Sequence, residues 1–229
     1  MKTVIVTGAN GNLGSAVTKT FLQKGYRVIV TVANDAMKND VSHHEMLEVH
    51  VVDLMHEEES RSFVEKVIAT HGTIDAALLL VGGFAMGSIA KTSIADIQSQ
   101  IALNFNTAYH VTRPLFSHMM EKGTGRIVFI GSRPALEAAA GKGMIAYGLS
   151  KSLLFKLAEY LNAEAKGRNV MTAVVAPSTL DTETNRKSMP NANPDDWVKP
   201  SALADILEFL VSDASGALRE SVLKVYNNS

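Results

Sequence analysis

The chain contains no cysteine. Disulfides, thiolate nucleophiles and thiolate metal sites are therefore excluded, and nothing requires an oxidising compartment. It also lacks a charge surplus, with Lys+Arg 22 against Asp+Glu 23. Proteins that bind nucleic acid normally carry a basic excess, so no nucleic-acid partner is expected. No apolar run approaches the ~18 residues of a membrane span, so no membrane partner is expected either. The first strand-like run begins at Thr3, which leaves no room for a signal peptide before it. Metal-ligand spacing is missing too: His43, His44, His50 and His56 match no ligand pattern and have polar or acidic neighbours, so no metal is expected. These absences point to a soluble, cytoplasmic protein. A single domain of 229 residues buries roughly 70% of its unfolded surface.

What is present is an alternation. Short β-branched runs at 3–7, 27–32, 47–52, 76–81, 126–130, 170–176 and 222–225 read as strands. Most are continuously apolar, as strands covered on both faces are. Helical patterns fall between them at 12–24, 57–71, 93–120, 145–166 and 201–212. The expected fold is α/β: one Rossmann-like, doubly wound parallel sheet of about seven strands, with helices on both faces. Two stretches read as irregular. Residues 33–45 are polar, and 177–200 hold four prolines among Asn, Ser, Thr and Asp. The second follows a strand's carboxyl end, where open α/β sheets bind ligands, and residues 178–200 are read as a substrate lid.

"VIVTGANGNLGSAV" joins the first strand to the first helix and spaces Gly8, Gly11 and Gly14 three apart. One glycine permits the tight turn, one lets backbone approach a pyrophosphate, and one lets helix and strand pack closely. Free N–H groups at the helix start then face the phosphates. This context makes the turn, with Asn10, Asn12 and Leu13, a dinucleotide cradle. In "VVDL", Asp53 with Leu54 reads either as an adenine contact or as the N-cap of the helix that "EEES" begins. Gly82–Gly83 read either as a ribose platform or as a plain loop pair.

"AYGLSK" places Tyr147 and Lys151 four apart, on one face of a helix. A free phenol titrates near ~10, too high for proton exchange at neutral pH. A neighbouring ammonium favours the phenolate, so the pair suits a general acid/base whose pKa is lowered by Lys151.

Taken in order, these segments resemble the short-chain dehydrogenase/reductase family over nearly the whole chain. "TGANGNLG" is similar to its cofactor turn, "VVDL" to its adenine contact and "NFNTAYHVT" to the segment of its helix-bending asparagine. "IGS", "YGLSK" and "PSTLDT" resemble its serine strand, catalytic pair and nicotinamide contact. The resemblance implies an NAD(P)-dependent oxidoreductase, using NAD or NADP and acting on a small-molecule substrate. It implies Tyr147 as general acid/base and Lys151 on the nicotinamide ribose. Ser132 would bind the substrate oxygen, and Asn104, preferred to Asn106 by its spacing to Val111–Thr112, would anchor a relay water. Pro177, Thr179 and Thr182 would meet the nicotinamide, and the protein would form a homodimer or homotetramer.

The sequence departs from the family pattern in several places. Gly11 carries the glycine usual at Asn12, Leu80–Gly83 replace Asn-Asn-Ala-Gly, and Ser178 stands where glycine is usual. Ser132 lies 15 residues before Tyr147, a longer gap than usual. Val32 supplies no carboxylate for the adenosine ribose, so weak discrimination between NAD and NADP is expected. The stretch 179–197, with "VGGF" and "GMIAYG", resembles dihydropteridine reductase, and there Met189 and Trp197 would face a flat heterocycle, with Arg186 and Lys187 on its polar edges. That enzyme works without the serine. A non-catalytic redox sensor needs no Tyr–Lys pair, and an enoyl-thioester reductase needs a Lys beyond it, where Leu153 and Leu154 stand.

Overall fold

The computed structural model describes residues 1–219 and 222–229. Seven parallel strands form one sheet in the order β3-β2-β1-β4-β5-β6-β7. They are β1 (Thr3–Thr7), β2 (Arg27–Val32), β3 (Leu47–Val51), β4 (Ala76–Leu79), β5 (Thr124–Ile130), β6 (Asn169–Pro177) and β7 (Val222–Val225). Helices α1 (Asn12–Gln23) and α9 (Pro200–Val211) cover one face, packing on Val4, Val6, Val28, Val30, Leu78 and Val128. Helices α3 (Glu57–His71), α5 (Thr107–Lys122) and α7 (Ile145–Glu164) cover the other, against Ile5, Ile29, Ala77, Phe129 and Val174. Alternate residues of one strand thus enter different cores, which explains why the strands read as unbroken apolar runs.

Winding reverses between β1 and β4, so their carboxyl ends flank the crevice where such sheets bind ligands. The expected helix at 93–120 is divided. Helix α4 (Ile94–Ile101) starts at a capping box of Ser93 and Asp96, passes into a π turn at Ala102–Asn106 and continues as α5. The π turn places one extra residue in the helix, and such turns concentrate at functional sites. The irregular stretches contain short helices: α2 (Asp35–Lys38), capped by Asn34, and α8 (Glu183–Ser188), capped by Thr182. Another, α6 (Arg133–Leu136), follows β5. The stretch 178–200, expected as a lid, has a closed base, where Leu180 bridges Val198 and Asp181 N–H donates to Val198 O at 2.8 Å.

Candidate active site

The three turn glycines serve different needs. Gly8 has φ +71°, a conformation that side chains rarely adopt. A Cβ on Gly14 would lie 2.1 Å from Gly8 O, so only glycine lets α1 sit against the turn. A Cβ on Gly11 would meet nothing nearer than Gly8 O at 3.4 Å. Gly11 is exposed, with Asn12 beside it at the start of α1, while Asn10 and Leu13 are half-buried. No acidic side chain lies in the first turn of α1, leaving its N–H groups and dipole free for an anion.

Asp53 is not the helix cap, since His56 holds that position. The Asp53 carboxylate accepts from Met55 N–H at 2.9 Å and lies 3.4 Å from His56 Nε2. Leu54 is buried in the core, and its carbonyl meets His110 Nδ1 at 2.9 Å. At the end of β2 the Val32 side chain is buried, and the Asn34 side-chain Oδ1 accepts from Met37 N–H.

At the switch point the catalytic candidates converge. A Cβ on Gly82 would lie 2.6 Å from Asn104 Oδ1 and 2.9 Å from Lys151 Nζ. Glycine is therefore required there to admit two side chains, a reason the sequence reading did not supply. Gly83 is gripped by Asn104, whose Oδ1 accepts from Gly83 N–H at 2.9 Å and whose Nδ2 donates to Gly83 O at 3.0 Å. Asn104 is completely buried within the π turn, consistent with its expected helix-bending role.

Ser132 ends up beside Tyr147 despite the long spacing. The extra residues form α6 and the turns up to Met144. The Ser132 hydroxyl is buried and has no hydrogen-bond partner. It is close enough to the phenol to favour the phenolate, but burial outweighs it and pushes the Tyr147 pKa up. The depression expected from Lys151 together with the nicotinamide ring is not produced by the protein groups alone. Lys151 Nζ donates to Ile130 O at 2.8 Å, and desolvation lowers its own pKa to about 8.

The lid corrects other expectations. Trp197 is 5% exposed and packs inward rather than facing a ligand. Arg186 grips Asp181 through Nε at 2.6 Å and Nη2 at 2.9 Å, and Lys187 pairs with Glu183. Met189 remains partly exposed. Pro177 is buried at the end of β6, Thr179 O accepts from Val198 N–H, and the Thr182 hydroxyl caps α8.

Three residues here escaped sequence reading. The exposed Phe84 ring stands edge-on to Tyr147, with centroids 5.1 Å apart. Gln100 and Ser150 contact the Asn104 amide. Ser150 was detectable, because three residues after Tyr147 it shares that helix face.

Among the described residues, no group of three or more His, Cys, Asp or Glu could hold a metal, and no helix is long and apolar enough to cross a membrane. The residues present do fit a dinucleotide. Gly8 and Gly14 admit no side chain in the turn, α1 presents free N–H groups to it, and among the described residues an orphaned hydroxyl lies by the phenol.

A family model described as short chain dehydrogenase matches residues 2–193. A dihydropteridine reductase of Dictyostelium discoideum is 28% identical over 232 aligned positions, covering 100% of this chain and 96% of that protein. An acetoacetyl-CoA reductase of an Acinetobacter species is 29% identical, covering 77% of this chain and 73% of its own. The solved structure "ElxO with NADP Bound" superposes with a TM-score of 0.91 at 22% identity, over 98% of this chain and 96% of that one. The chain belongs to the short-chain dehydrogenase family and is an NAD(P)-dependent oxidoreductase.

Proposed function

We propose that the protein reduces a small carbonyl-type substrate with NAD(P)H, with Tyr147 as the general acid. The carrying observation is the buried, unpartnered Ser132 hydroxyl beside the Tyr147 phenol. Reduced nicotinamide supplies the hydride when bound. The turn from Gly8 to Gly14 would hold the pyrophosphate, Asp53 the adenine, and Lys151 the ribose. Thr179 and Thr182 would hold the nicotinamide end. Ser132 would donate to the substrate oxygen and fix it next to Tyr147. As hydride reaches the carbonyl carbon, the phenolic proton passes to the oxygen, giving an alcohol and a tyrosinate. Burial keeps the phenol protonated before that step, and this suits the reductive direction. Lys151, with its pKa lowered to about 8, is poised to return a proton through the Asn104 region.

A second reading, reduction of a quinonoid dihydropterin, is favoured by the dihydropteridine reductase that aligns with the whole chain. The Phe84 ring also offers an exposed flat surface beside the acid. The retained Ser132 favours the carbonyl reading. Assays of quinonoid dihydropterin, simple ketones and quinones with either reduced cofactor separate the two. The Tyr147→Phe variant is expected to fold and bind cofactor but lose most turnover. Near-normal rates in that variant would assign the proton transfer to another group.

The homo-oligomer expected from the sequence is also proposed. Leu149, Leu153 and Tyr160 are exposed along α7, and Tyr109 along α5. The sheet does not cover these faces, and a second copy of the chain would.

A further inference from the structure

We infer that Ser150 is a positioning residue that couples the Tyr147 helix to Asn104. The inference rests on the reading of Tyr147 as the proton donor. Ser150 is completely buried. Its hydroxyl donates to Tyr147 O at 2.8 Å, one turn back along α7. Its oxygen accepts from Asn104 Nδ2 at 3.1 Å. The Asn104 amide holds both backbone groups of Gly83, at 2.9 and 3.0 Å. One hydroxyl thus joins the π turn, the β4 exit and the helix carrying Tyr147 and Lys151.

The arithmetic of donors separates positioning from plain stability. Asn104 Nδ2 carries two hydrogens and faces three acceptors: Gly83 O, Gln100 Oε1 at 3.1 Å and Ser150 Oγ. Removing the Ser150 hydroxyl leaves two acceptors for two hydrogens, so no buried donor is orphaned. The large penalty of an unsatisfied group is avoided, and alanine also suits a helix interior. Ser150→Ala should therefore fold normally. What it removes is the contact that holds Asn104 in register with α7, where small displacements of reacting groups are costly.

The test uses Ser150→Ala, Asn104→Ala and the double variant in the full chain. Circular dichroism and cofactor fluorescence titration accompany steady-state kinetics. Ser150→Ala is expected to melt within a few degrees of the parent and to bind NADPH equally, with kcat about tenfold lower and KM little changed. In the Asn104→Ala background the same substitution should have no further effect on kcat, because its partner is gone. Should Ser150→Ala unfold, Ser150→Cys, near-isosteric and a weak hydrogen-bonder, carries the same comparison. Unchanged kcat, or losses that multiply in the double variant, would overturn the inference. Retained turnover in Tyr147→Phe would instead overturn the proton-donor reading, so the two failures are distinct.

Discussion

Lys151 is 5% exposed, and burial draws its pKa from the ordinary 10.5 to about 8 with no carboxylate contributing. Folding therefore strains the ammonium. The difference corresponds to about 3 kcal/mol of destabilisation at neutral pH. The sign follows from proton counts. Below pH 8 both states are protonated and the penalty is complete. Between about pH 8 and 10.5 the unfolded chain holds a proton that the folded chain has released, so stability rises with pH. Lys151→Met should remove this penalty at pH 7 while sacrificing the contact to Ile130 O, which as a hydrogen bond from a charged group is worth about 2 kcal/mol. The net gain of about 1 kcal/mol predicts a Tm higher by roughly 2–4 °C for a chain of this size, alongside loss of turnover. Repeating the melt at pH 9.5 should show little or no gain, since the residual penalty is then about 1 kcal/mol. A variant that melts lower at pH 7, or gains equally at both pH values, would refute desolvation as the cause.

Other expectations follow from the same site. Gly82→Ala drives a Cβ into Asn104 and Lys151, and overpacking of this kind costs about 1–3 kcal/mol; thermal melts should show it together with a large fall in kcat. Val32 lacks a carboxylate and is buried, and no arginine stands beside it, so direct titration should find NADH and NADPH bound with similar affinity. A thousandfold preference for either would refute this. The exposed apolar residues of α5 and α7 predict a dimer or tetramer at micromolar concentration, and sedimentation as a monomer would reject it.

Periodicity was enough to locate the strands because each strand is buried on both faces. The Gly8, Gly11 and Gly14 spacing likewise pointed to a tight strand–helix turn, since backbone geometry demands glycine at Gly8 and Gly14, though not at Gly11. What escaped was set by distant packing. The bend at Asn104 was expected from the resemblance, but its grip on Gly83 across the fold was not. The upward shift of Tyr147 depends on its surroundings, which the Tyr–Lys spacing does not encode. Trp197, turned toward a heterocycle by the resemblance to dihydropteridine reductase, is buried against the fold. Of the two readings left open for Asp53, the helix cap falls to His56 instead.

The closed base of the lid makes the segment between Asp181 and Trp197 a cassette. Its two stems are joined to each other by backbone hydrogen bonds at Thr179, Asp181 and Val198. Its far side is tied by the Asn227 amide, which donates to Asp195 O and Trp197 O at 3.0 and 3.1 Å. Changes of length or residue inside the cassette need not disturb β6 or α9. On the proposed reading, in which Thr182 inside this segment meets the nicotinamide, a lid grafted from a relative should be accepted at these two stems if Thr182 is kept, and substrate preference would then diverge without altering the residues proposed for hydride transfer.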